Sequence, residues 1–410
     1  MAGMKTAFIL FMLSSATCSA AGTADAAPWA LPVSTPAAQP SLSLSPDGGL
    51  NLSWIERTAE GHRLRFSSYR NGRWRTPATV AAGDNWFVNW ADFPSTTQLP
   101  DGTLWAHNLV KRGVGTYAYD IVLYRSRDKG ASWSKPLIVH DDGTETEHGF
   151  ATMWPWSASE LAVAWLDGRE TAGAPGHDHV HHETDQADGK AMTLRAAVFD
   201  GNGKRLHEWP LDARTCDCCQ TDAALTPDGP VVIYRDRSPE EIRDIYAVRH
   251  TAAGWLPPRQ VARDGWKMPA CPVNGPAIAA DGDSIWAAWY TAPEETPTLR
   301  IAFSDNAGAE FRHARTFKSG PAMQGRVDLA ANADGAWMVW MEESASQSLW
   351  LARLDRQLET VGSPVRVATL QGRGRATGFA RMQAVGRTVY VVWTDVVDGK
   401  PELQGAQFRF

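Results

Sequence analysis

Long apolar segments are missing from this chain. Its longest uninterrupted hydrophobic run, Ala7–Leu13 (AFILFML), is far too short to cross a bilayer, so no membrane span is expected. A basic surplus is missing as well. Forty lysines and arginines stand against 46 aspartates and glutamates, a net charge of −6, which argues against a nucleic-acid partner. No long amphipathic run has a helical period, so a helical bundle is excluded. Cysteine is scarce, with five in 410 residues, too few for a disulfide-dense scaffold. Tyrosine numbers only eight, yet tryptophan reaches 19, alongside 35 glycines and 25 prolines. Many indoles among abundant turn formers point to short strands packed through aromatic side chains.

The N-terminus has the make-up of a secretory leader: Lys5, the run Ala7–Leu13, then Ala24-Asp25-Ala26 ahead of Ala27-Pro28. Residues 1–26 are therefore expected to be a signal peptide and 27–410 one domain, exported to the periplasm or beyond. Cys18 would be the acceptor in a lipoprotein, but Ser15-Ala16-Thr17 makes a poor lipobox.

One unit recurs along the chain. An alternating strand and a turn, often Asp-Gly, lead into an apolar strand that ends in an aromatic. These aromatics are Trp54, Trp105, Trp165, Tyr234, Trp289, Trp340 and Trp393, and two further strand-like runs follow each. Four strands repeated about an axis predict an all-β propeller. Seven landmarks predict seven blades, with innermost strands starting near residues 40, 92, 150, 221, 275, 326 and 379. Six blades are the alternative if the outer strands pair differently. The last repeat supplies three strands, so a segment near Trp29–Ser34 is expected to add the fourth and close the ring.

Ser126–Trp133 (SRDKGASW) resembles the Asp-box of sialidase-like propellers, with a degenerate copy at Ser304–Phe311 (SDNAGAEF) and a weaker echo at Ser68–Trp74 (SYRNGRW). The resemblance implies the fold, and it implies that each box is a structural fastener between third and fourth strands. It also implies glycosidase chemistry on the opposite face: three arginines gripping a carboxylate, an Asp acid/base and a Tyr–Glu nucleophile pair. The family's Arg-Ile-Pro signature is absent, and no tyrosine stands at the matching place in the last blades.

Because adjacent strands run antiparallel, the repeat phase gathers the unusual residues on that opposite face. Arg235, Arg237, Arg326 and Arg381 are the candidate clamp, Trp90 a ligand contact, and Asp92, Asp236, Tyr290 and Glu342 candidates for charge or proton roles. Cys216, Cys218 and Cys219 lead into one blade and Cys271 into the next, so all four are expected to meet. Two readings remain open. They form two disulfides, or they bind a soft metal such as copper with Met268 and His148. His177, His179, His181 and His182 sit in a long inter-strand loop, as metal ligands or as a solvated insertion. Three functions follow: recognition or hydrolysis of an anionic glycan, copper binding, or an envelope scaffold that presents loops to another protein.

Overall fold

The computed structural model describes residues 25–34, 36–173 and 190–410. The leader up to residue 24, with Cys18, and the four loop histidines lie outside the described residues. Seven antiparallel sheets surround a common axis, and the only helical elements described are single 3-10 turns such as Arg169–Thr171. The protein is a seven-bladed β-propeller.

Innermost strands begin at Ala37, Thr96, His148, Asp222, Ala277, Met323 and Gly378, each within four residues of its expected position. Second strands carry the apolar runs because each is sandwiched between neighbouring blades. Leu161–Asp167 is buried at every position, and Ser284–Thr291 at all but Tyr290. The landmark aromatics fill the gaps between sheets, with Trp54, Trp165, Tyr234 and Trp289 fully buried.

Ring closure differs in register from expectation. Asp25–Pro28, not Trp29–Ser34, forms the fourth strand of blade 7, pairing antiparallel with Ala406–Arg409. Trp29 follows, donates its backbone N–H to Gly405 and packs between Tyr69 and Trp74 of blade 1 and Tyr390 of blade 7. This tryptophan is a plug between the first and last blades rather than a strand residue.

The hairpin at Ser126–Trp133 joins the third and fourth strands of blade 2. Asp128 Oδ1 accepts from the Ser132 amide at 2.9 Å, Ser126 Oγ accepts from the Gly130 amide at 2.8 Å, and Gly130 has φ +85°. Trp133 meets Phe66 of blade 1 edge to face at 5.6 Å. Asn306 and Ser304 repeat the scheme in blade 5, bonding the amides of Glu310 and Gly308. The echo at Ser68–Trp74 does not. There, a tight turn with Asn71 and Gly72 at positive φ joins strands without that side-chain bonding.

A second recurrence was readable but escaped the sequence analysis. In Trp54-x-Glu56, Trp165-x-Asp167 and Trp340-x-Glu342 the buried indole Nε1 donates to the acid two residues on, at 3.1, 2.7 and 2.7 Å. Residues i and i+2 share a strand face, so the acid caps the polar atom of a tryptophan buried between blades.

Candidate functional site

On the face away from the Asp-boxes, side chains of one blade hold backbone groups of the next. Asp92 accepts from the Phe150 amide at 2.8 Å, Asp222 from Ile278 at 2.9 Å, Asn274 from Arg326 at 2.8 Å and Asp328 from Met382 at 2.7 Å. Bulges in four innermost strands leave Gln39, Phe150, Arg326 and Phe379 at positive φ, where they re-aim residues at the channel mouth. The loop Asn89–Asp92 is anchored from two sides: Gln220 Nε2 donates to the Ala91 carbonyl at 2.7 Å, and Gln39 Nε2 donates to the Asn89 carbonyl.

That loop presents Trp90 and Asp92, both singled out by the sequence. Trp90 packs on Phe379 at 5.7 Å, with the guanidiniums of Arg326 and Arg375 each 5.6 Å from its ring. Asp92 belongs to an acidic pair that the sequence reading only half identified. The Tyr119 hydroxyl donates to Glu147 Oε1 at 2.7 Å and lies 3.3 Å from Asp92 Oδ2. Burial raises the Asp92 carboxyl to about 7 against the opposing bonds from Phe150 and Tyr119. Burial likewise raises Glu147 to about 8, opposed by the Tyr119 bond and reinforced by Asp217, Asp92 and Cys216. Asp92 and Tyr119 are buried, whereas Glu147 is partly exposed. Of the three residues, Glu147 is the least buried.

The arginine clamp is not assembled as expected. Arg235 is fully buried and donates to the carbonyls of Asn274, Arg243 and Tyr290, under the Trp266 ring. Arg237 pairs with Glu241 at 2.8 Å and Asp217 at 3.2 Å. Arg326 donates to the carbonyl of Thr377 and stacks on Phe379. Arg381 lies inside the channel over Phe93, 3.7 Å from Asp328. Structural bonding therefore engages both Arg235 and Arg237, because a buried guanidinium needs acceptors for its donors.

Other expected chemical roles also fall away. Glu342 caps the Trp340 indole and pairs with Lys318 at 2.6 Å. Tyr290 packs its ring edge to face on Trp266 at 5.7 Å and gives its carbonyl to Arg235. Asp236, raised to about 7 by burial and by Asp212, sits among the acids of its own loop with Asp244 rather than beside Asp92. His148 does not join the cysteines. It is buried, stacked on His140 at 3.5 Å and 3.1 Å from Asp142.

The cysteines do meet. The Sγ atoms of Cys216, Cys218 and Cys219 lie within 4.8 Å of one another, Cys216 and Cys219 at 3.5 Å, and Cys271 neighbours Cys218. All four are free thiols, the first three buried and Cys271 partly exposed. Burial opposes ionisation of Cys216, but bonds from Cys218 and Cys219 and the charges of Arg243 and Arg235 outweigh it, holding this thiol well below its ordinary range. Burial pushes Cys218 and Cys219 up. Met268 gives its carbonyl to Arg243 at 3.1 Å.

No protein-family model and no curated protein sequence matches the chain. Solved structures of similar fold include sialidases and polysaccharide lyases. The polysaccharide lyase Uly1 is 10% identical with a TM-score of 0.50, covering 90% of this chain and 89% of its own. The intramolecular trans-sialidase from Ruminococcus gnavus, solved with oseltamivir carboxylate, is 10% identical with a TM-score of 0.47, covering 91% and 94%. A protein of unknown function from Dyadobacter fermentans DSM 18053 is 12% identical with a TM-score of 0.48, covering 92% and 95%. At these identities the likeness is one of fold.

Proposed function

We propose that this face acts on an anionic glycan, with Glu147 as the proton donor. The observation that carries the reading is the Tyr119 hydroxyl bonded to Glu147 and close to Asp92. A carboxyl held near 8 is protonated at neutral pH, the state needed to protonate the oxygen of a departing sugar. Trp90 offers an aromatic face for a sugar ring, and Arg326 and Arg375 above it supply positive charge. The named activities of the lyase and sialidase neighbours agree with a carbohydrate ligand.

Export belongs to the same proposal. Cleavage after Ala26 would leave Ala27 and Pro28 to pair with Gln407 and Ala406, so the ring would still close.

The test incubates purified protein with sialylated and uronate-containing oligosaccharides and follows release of new ends by mass spectrometry. Turnover that Glu147→Gln abolishes, with binding kept and Trp90→Ala weakening binding, supports the reading. Absence of both binding and turnover across the panel overturns it.

A further inference from the structure

Two buried guanidiniums, Arg235 and Arg243, stand next to the cysteines with few carboxylate partners between them. Arg235 makes no ion pair with a carboxylate among the described residues, and every hydrogen bond it donates ends on a backbone carbonyl. Arg243 is equally buried. It bonds Glu241 at 2.7 Å and the Met268 carbonyl, yet its Nη1 has no hydrogen-bond partner. Burying two cations with so few carboxylate partners is costly unless negative charge can be held nearby. The Cys216 amide donates to the Arg235 carbonyl at 3.1 Å, which sets the cysteine loop beside these guanidiniums.

Three sulfurs lie within 4.8 Å of one another, with no histidine or carboxylate in the same group of donor atoms. Purely sulfur donors on a converging set select a soft ion over calcium, magnesium or manganese. Cys216 and Cys219 come from one tight turn, and Cys218 between them reaches Cys271 of the next blade's loop. Buried sulfurs need a route to solvent, and the partly exposed Cys271 provides it.

We propose that Cys216, Cys218 and Cys219 form a binding site for a thiophilic d10 cation, with Cys271 as the rim thiol through which the ion arrives. Copper(I) suits three sulfurs alone. Zinc requires a fourth ligand, which Cys271 would supply. His148 has no part in this site, because it is engaged with His140 and Asp142. The arginines offset the negative charge of the sulfur set once the ion is bound. Binding releases the protons of the thiols that ligate and changes no oxidation state.

The experiment uses the full chain, reduced and kept anaerobic. Copper(I) is titrated against a chromophoric chelator, and zinc(II) separately against a fluorescent one. One ion per chain is expected, with three thiols protected from alkylation for copper(I) or four for zinc(II). Cys219→Ser should abolish uptake, while Cys271→Ser should abolish zinc uptake but only slow that of copper. Should Cys219→Ser fail to fold, thiol protection in the wild-type chain decides alone. Two native disulfides in the non-reduced protein would overturn the proposal, as would full alkylation of the thiols at saturating metal. Metal stoichiometry is independent of any carbohydrate, so either outcome leaves the glycan reading to its own test.

Discussion

Tyr119 donates its hydroxyl proton to Glu147 across 2.7 Å, and the same oxygen lies 3.3 Å from Asp92. Burial favours the protonated carboxyl at both sites, against the Tyr119 hydroxyl, whose hydrogen bonds favour the charged form.

This predicts the direction of pH dependence. Both carboxyls titrate higher in the fold, at about 7 and 8, than in the unfolded chain, where their ordinary values are 3.8 and 4.5. Their contribution is complete below those ordinary values and is lost as pH rises through 7 to 8. Melting temperature should fall from about pH 4 to about pH 8 and level off above that. Asp92→Asn and Glu147→Gln should each flatten the decline. A decline unchanged in both variants would exclude these groups as its cause.

Removing Glu342 should be a stability change and nothing more. Glu342→Ala leaves the Trp340 indole N–H buried without a partner and should cost about 1–3 kcal/mol. Chemical denaturation measures the loss. Carbohydrate and metal binding should be unaltered, and loss of either in the folded variant would restore Glu342 to a functional role.

Arg235→Met should be far more damaging. It empties four hydrogen bonds to three carbonyls and removes a counter-charge of Cys216. Breaking a buried charged network of this kind costs about 3–5 kcal/mol. Circular dichroism melting would show it. A variant as stable as wild type would mean that these carbonyls find other donors.

The Asp-box hairpin lies on the far face from the site. Asp128 is held at about 2 by the bonds from Ser132 and Ser126. A depressed carboxyl stabilises the fold above its ordinary 3.8 and loses that effect as pH falls through about 2. Asp128→Ala should lower the melting temperature at neutral pH, with the difference from wild type vanishing in acid. Metal uptake should stay intact.

Local pattern carried the architecture. The largely apolar second strands carrying Trp54, Trp105, Trp165, Tyr234, Trp289, Trp340 and Trp393 fixed the blade count, because a strand buried on both faces is predominantly apolar. Strand phase then placed Trp90, Asp92 and the cysteines on one face, since antiparallel alternation is a local property. The recurring Trp-x-acid motif would also have identified Glu342 as a cap.

Partner choice was a different matter, and only the closed ring decided it. Nothing near Arg235 in sequence indicates that Asn274 and Tyr290 carbonyls take up its donors. Tyr119 and Glu147 come from different blades and meet Asp92 from a loop tied to blades 1 and 4. Trp29 reads as strand, yet it plugs the seam where the two chain ends meet. Strand period is set by neighbours two residues apart, whereas burial and counter-charge depend on residues brought together when seven sheets close around an axis.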